Sequence, residues 1–395
     1  MGKKPISPSS KRLTPRALWL VIEHFGSVKD HRIDRTKRHP LENILAMSLC
    51  GVIAGAETWD DLERFSEARE DWFGTFLDVS GGTPSADTFR RVYERLDPKQ
   101  FEACFRNWVA ALAVEFRGEV VAIDGKTLRG YVDQAGEKVQ LHMVHVWATE
   151  QHLLLAQKAV NGASGEMAAI PELLKLLDLE GAIITTDANS CTAPVTRAIV
   201  EAKADFVLTV KGNRGRFYDH VVNAFAERER FAKAHRHEWI EEGHGRRETR
   251  VVSVMEPKDW PWETKKNGEW AGLRTAVRIE RTREVVGGDS NAEIHFYVSS
   301  LPPNAKRIGE AVRGHWSVEN HLHWMLDVAF GDDRRRVRDA RSAQNLATVS
   351  RLALTLLRHA PARAAKKMTV PMSRKVAAWD NRFLVQVLTS AKSIP

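Results

Sequence analysis

The chain reads as an α/β protein. It predicts a mixed sheet with flanking helices, an inserted mainly β segment, and an all-α N-terminal domain. Three observations lead there. Apolar residues recur at three and four positions from Pro15 to about Phe116, which is the helical period. From Glu119 the runs follow the order β-β-β-α-β-α-β. Adjacent strands joined tightly, followed by crossover helices, give a mixed sheet. Alternating stretches at 248–255, 271–281 and 293–299 then precede a long helical stretch.

The totals bound the protein's class. A length of 395 residues predicts two or three domains. A hydrophobic share of 43% supports a sizeable core, and a charged share of 28% fits a soluble chain. No run of 18 apolar residues occurs, and the basic start MGKKPISPSSKRLTPR lacks the apolar region of a signal peptide. Cys50, Cys104 and Cys191 lie far apart with no CxxC, against a disulfide framework and a cysteine zinc site. The expected compartment is the cytoplasm, with no membrane partner. The net charge of +8 raises the prior for a polyanionic partner such as nucleic acid.

The elements follow in order. Residues 1–13 read as a flexible basic tail, and 14–117 as a helical domain built on Leu18, Ile22 and Phe25, Ile44, Leu45, Leu49 and Ile53, Leu62 and Phe65, then Phe101, Phe105, Trp108 and Leu112. Gly81-Gly82 breaks the chain, Thr83 can cap, and Pro84 fits the first turn of a helix through Leu96. That helix sets Arg90, Arg91 and Arg95 beside Phe89, Val92 and Leu96, either as a solvated basic face or as a DNA-contacting one. Residues 118–360 form the sheet domain, with strands at 119–124, 141–148, 152–160, 181–187 and 204–213 and helices at 165–178 and 192–203. The insertion covers about 214–300 and opens with a polar helical piece, 216–235. One long helix runs from Asn304 to Phe330, a charged turn covers 332–339, and a helix covers 342–359. Residues 361–395 read as a basic tail or helix.

Carboxylates carry the chemistry. Gly125-Lys126-Thr127 looks like the end of a P-loop, but Val120 stands where that loop needs glycine. Asp124 and Asp187 each close an apolar run, where a sheet delivers side chains to a crevice; each could also be a cap or turn former. On the long helix, His315, Glu319 and His323 stand one turn apart on one face, with Leu322, Leu326 and Ala329 at core spacing. Zinc held by His315, Glu319 and His323 is one use of that row. Alternatively, Asp124, Asp187 and Glu319 supply oxygen ligands for two Mg²⁺ ions, the arrangement that serves in-line displacement at phosphorus. Lys126, Arg129, Lys211, Arg214, Arg246, Arg247, Arg334, Arg335, Arg336 and Arg338 would suit a phosphodiester backbone, though each also reads as a solvated charge. Trp316 and Trp324 read as core residues, with base stacking as the other use.

The segments AIDGKTLRG, HMVHVWA, AIPELLKLLDLEGAIITTDA, DFVLTVKGN, GHGRRETR and RGHWSVENHLHWMLDVAFGDD together resemble the ISAs1-family insertion-sequence transposases, the group that includes the H-repeat-associated proteins. The match runs to about residue 360. The resemblance implies an RNase H-like catalytic domain with a DDE triad, an insertion before the glutamate helix, and an N-terminal transposase-associated domain. Residue by residue, the triad falls on Asp124, Asp187 and Glu319, which would bind Mg²⁺, with Mn²⁺ able to substitute. Double-stranded DNA is the implied partner, at element ends and target. Lys126, Arg129, Lys211, Arg214, Arg313, His315, Asn320, Arg90 and Arg91 are the candidate DNA-binding residues, and a homodimer is expected in the synaptic complex. The chain departs from the family's pattern at Asn189-Ser190 beside Cys191. It departs again at Val312, His315 and Leu326, where a Tyr, Arg and Lys set would stand. Two other readings are a nuclease that cuts without joining and a non-catalytic DNA-binding relic.

Overall fold

The computed structural model describes residues 21–112, 115–129, 141–162, 165–226, 234–243, 245–257, 270–285, 288, 290–360 and 368–390. The tail read over 1–13 lies outside them. Before the sheet, the described residues include the helices Leu41–Ile53 (α1), Trp59–Glu67 (α2), Glu70–Phe73 (α3), Ala86–Arg95 (α4) and Pro98–Ala110 (α5). Thr58 and Asp61 form a capping box on α2, and Asp97 caps α5 ahead of Pro98. On α4 the cap is Ser85, not Thr83: its hydroxyl accepts from Thr88 N–H, and the helix starts after Pro84.

The sheet strands are Val120–Leu128 (β1), Leu141–Ala148 (β2), Leu153–Val160 (β3), Ile183–Thr186 (β4), Asp205–Val210 (β5), His235–Gly243 (β6), Arg246–Met255 (β7), Thr275–Val285 (β8) and Ser290–Ser299 (β9). They form one nine-stranded sheet in the order β3-β2-β1-β4-β5-β9-β8-β7-β6. β1 is antiparallel to β2 and parallel to β4, and β4 is parallel to β5. Helices Glu166–Leu174 (α6) and Ala193–Glu201 (α7) make the crossovers, and Arg216–Ala226 (α8) leads towards β6. The segment read as an insertion thus extends the same sheet, since β9 pairs antiparallel with β5.

Three expectations change here. β1 runs on past Asp124, because Gly125 to Leu128 continue the ladder against β2; Asp124 therefore sits within the strand, while Asp187 directly follows β4. β6 was not legible, because HRHEWIEEG shows no clean alternation: it is an outer strand, largely open to solvent. The helix expected over 304–330 is in three parts: Ala305–His315 (α9), a π-helical turn Val318–His323, and Trp324–Phe330 (α10). Asn304 caps α9 through Arg307 N–H. Gly331, at φ 65°, ends α10 in the left-handed conformation that glycine adopts without a Cβ penalty.

Ala340–Arg358 (α11), capped by Asp339, is buried along nearly its whole length. It packs on α1, α4 and α5 and also on β3. Asn345 Nδ2 donates to the carbonyls of Tyr93 and Leu96 at 3.0 and 3.1 Å, and Gln157 Nε2 donates to Thr348 Oγ1 at 2.8 Å. One hydrophobic core therefore runs from the N-terminal helices through the sheet. Within 361–395, helices Val370–Trp379 (α12) and Asn381–Thr389 (α13) bury Ala377, Phe383, Leu384 and Val387. No described helix is long and apolar enough to cross a membrane.

Candidate active site

Parallel pairing of β1 with β4 sets Ile123 beside Thr186, so Asp124 and Asp187 leave neighbouring strands at matching heights. The π turn delivers Glu319 and His323 from the other side, while Val318, Leu322 and Leu326 stay buried beneath them. π turns of this kind recur at functional sites, because the extra residue re-aims side chains. One ligand atom each from Asp124, Glu319 and His323 lies within 4.8 Å of the others. Asp187 stands outside that trio, and its carboxylate accepts from Ser190 N–H at 3.2 Å. All three acids line one cavity of about 790 Å³.

The electrostatics follow from burial. Desolvation pushes the Asp124 carboxyl up to about 7, and the charges of Glu319, Asp187 and Glu166 push the same way, against a backbone hydrogen bond from Gly125. A cation beside Asp124 would favour its ionised form. Burial lowers His323 to about 3, with Lys126 and Arg351 adding to it, so its ring is neutral and has a lone pair to offer. His323 Nδ1 lies 3.5 Å from Asp124 Oδ2. Its Nε2 lies 3.1 Å from Nδ1 of His145, which pairs across the ladder with Asp124.

A divalent ion fits this set. Ligand atoms about 2.1 Å from one ion stand roughly 3–4 Å apart, so the trio needs little closure. Two carboxylates and a neutral imidazole are a competent donor set. The zinc grouping with His315 is not assembled: His315 Nδ1 turns to Thr185 Oγ1 at 3.0 Å, and burial lowers this imidazole to about 4.

The candidate DNA-binding residues separate into two kinds. Lys211 and Asn320 are exposed in the cavity, and Arg129 is exposed with its backbone N–H on Asp333. Lys126, by contrast, is buried, with its ammonium 2.7 Å from Asp327 and 3.9 Å from Asp333. Arg313 pairs with Glu241 of β6, and Arg214 donates to the carbonyls of Ala188 and Asn189, bracing the turn after Asp187. His315 is a neutral hydrogen-bonding group. Arg90 bonds Asp87 and Glu94, and Arg91 lies 3.5 Å from Asp87, all on α4 itself. Of the other cations, Arg335 is buried against Asp332, which also takes Arg351 at 2.8 Å. Trp316 and Trp324 are not core residues: they are 60% and 55% exposed, because the π turn spends its buried positions on Val318 and Leu322. Trp316 lines the cavity.

Sequence reasoning missed His145, His142 and Glu166. His142 Nε2 and the Glu166 carboxyl are hydrogen-bonded directly beside Gly125. The available signal was two histidines inside the apolar strand LHMVHVWA; buried polar side chains need partners.

Comparison with known proteins defines the class. Residues 115–356 match the family described as Transposase DDE domain, and residues 22–109 match DDE_Tnp_1-associated. The chain belongs to the DDE transposase family, which implies use of a divalent cation and of DNA. Among its relatives, "Putative transposase YncI" of Escherichia coli O157:H7 is 34% identical over 387 residues, covering 95% of each chain. "H repeat-associated putative transposase YhhI" of E. coli K12 is 32% identical over 377 residues, covering 94% of this chain and 98% of that one. A solved piggyBac transposase synaptic complex with hairpin DNA aligns with 99% of this chain and 84% of its own at 12% identity and TM-score 0.42.

Proposed function

We propose that the chain is an ISAs1-family insertion-sequence transposase. In this reading an RNase H-like domain over 118–360 cuts the element's ends and joins their 3′-hydroxyls to target DNA. A helical domain over 14–117 assists DNA binding, and two copies bring two ends together in the bacterial cytoplasm. The supporting observation is the convergence of Asp124, Glu319 and, on the neighbouring strand, Asp187 in one cavity. The strand order β3-β2-β1-β4-β5, with only β1, β4 and β5 parallel, supports the RNase H-like assignment.

Asp124, Asp187 and Glu319 would hold two Mg²⁺ ions, with Mn²⁺ able to substitute; when bound, the ions polarise the phosphate and stabilise the attacking and leaving oxygens. The chain's own residues fix the geometry. β1 holds Asp124, the end of β4 holds Asp187, and the pair of buried Lys126 with part-exposed Asp327 ties α10, directly after the Glu319 turn, to β1. Lys211, Arg129 and Asn320 would hold the strand's phosphates. In the first displacement water forms a new P–O bond and the 3′-oxygen leaves with a proton. In the second, that 3′-hydroxyl attacks a target phosphodiester and the target's own 3′-oxygen leaves, so the number of phosphodiester bonds is conserved.

The test is purified protein with element-end DNA, target DNA and Mg²⁺, scored for nicks and for joined molecules. Both products are expected. Nicks without joining would instead give a nuclease, and end binding without nicks in Mg²⁺ or Mn²⁺ would give a non-catalytic relic.

A further inference from the structure

We propose that His323 is a direct ligand of the ion shared by Asp124 and Glu319, that His145 positions it, and that the site therefore prefers Mn²⁺ to Mg²⁺. This rests on the reading of the acidic cluster as a divalent-cation site, and it adds a nitrogen donor to that site.

Three observations carry it. His323 is 5% exposed, yet its Nδ1 is aimed at the carboxylates, 3.5 Å from Asp124 Oδ2, and makes no hydrogen bond among the described residues. A buried imidazole with a free ring nitrogen facing two acids is built for a ligand. Its Nε2 is fixed by His145 Nδ1 at 3.1 Å, and His145 is itself fully buried in β2, opposite Asp124. Metal-bound histidines take such a partner on the second ring nitrogen, which sets the tautomer and the ring's orientation. Here His323 presents the Nδ1 lone pair when Nε2–H donates to His145. That arrangement leaves the ring proton of His145 on Nε2, which has no partner among the described residues; a bound cation would stabilise it.

The consequence is selectivity. Mg²⁺ takes oxygen ligands and gains little from imidazole, whereas Mn²⁺ accepts nitrogen and stands above Mg²⁺ for mixed N/O sites. About a tenfold tighter Kd for Mn²⁺ is expected.

The experiment uses the full chain and Mn²⁺ alone. Pulsed electron paramagnetic resonance reads nitrogen-14 coupling to bound Mn²⁺. Coupling is expected in the wild type, lost in His323→Gln and kept in His315→Gln. His145→Gln is expected to keep the coupling while weakening Mn²⁺ binding roughly 10- to 100-fold. Bound Mn²⁺ without nitrogen coupling in the wild type, or coupling that survives His323→Gln, overturns the ligand assignment. The wild-type spectrum decides even if a variant misfolds. Unchanged affinity in His145→Gln overturns its positioning role. Mn²⁺ binding that is indifferent to Asp124→Asn would instead reject the acidic-cluster reading itself.

Discussion

Lys126 Nζ lies 2.7 Å from Asp327 Oδ2, joining residues 201 positions apart in the chain. The pair ties β1, two residues past Asp124, to α10, directly after the π turn that carries Glu319. The lysine is 8% exposed and the aspartate 34%. Breaking a fully buried pair costs about 3–5 kcal/mol; with Asp327 a third open to water, about 2 kcal/mol is expected for Lys126→Met. Denaturant unfolding reads this directly. The double variant Lys126→Met with Asp327→Leu should recover at least half the loss, and no recovery would mean the pair is not the cause.

Trp316 gives a contrast between stability and binding. It is exposed at the cavity, so Trp316→Ala should change stability by no more than about 0.5 kcal/mol. Stacking on an unpaired base is worth roughly 1–3 kcal/mol, so affinity for end DNA with unpaired bases should fall about fivefold or more. Fluorescence anisotropy with labelled DNA measures it. Equal affinity would leave Trp316 without a role in DNA binding.

Glu102 on α5 sets a pH dependence away from the site. Burial pushes its carboxyl up to about 7 from an ordinary 4.5, against Arg106 and the Gln157 N–H. The folded chain holds this proton more tightly than the unfolded one. Glu102 therefore adds stability below about pH 4.5 that is lost as pH rises through 7. Glu102→Gln removes that loss, so its melting temperature relative to wild type should be higher at pH 8 than at pH 5, by the equivalent of about 2 kcal/mol. A pH-independent difference would show that the carboxyl is ionised throughout.

Gly125 sits where a Cβ would overlap the Glu166 carboxyl and the His142 ring. Gly125→Ala should cost about 1–3 kcal/mol by overpacking, and Glu166→Ala in the same chain should relieve part of it. Thermal melts of the single and double variants test this. Full stability in Gly125→Ala would mean that the β1–α6 approach is looser than observed.

How legible was this in the sequence? β2, β3, β5 and α7 were placed nearly to their ends, because each is an apolar run or a strong period between clear breakers. β6 was missed because Trp239, which packs on α9, stands among polar residues beside an exposed Ile240. The extent of β1 was missed because Gly-Lys-Thr reads as a turn, and only pairing with β2 keeps it extended. Asp124 and Asp187 stood out as acids following apolar runs, and Glu319 through its row with His315 and His323 and through the resemblance. Their neighbours were not legible. A straight helix predicts one face shared by His315, Glu319 and His323, and the π turn instead sends His315 to Thr185 and His323 to Asp124 and His145. Burial of Lys126 and the pairing of Arg313 likewise depend on partners far along the chain.

The most direct measurement is strand cleavage and joining on element-end DNA with Mg²⁺ by Asp124→Ala, Asp187→Ala and Glu319→Ala, each first checked for an unchanged melting transition. Each variant is expected to lose at least about a hundredfold in both nicking and joining. Wild-type rates in any one of them would contradict a site in which these three acids act together.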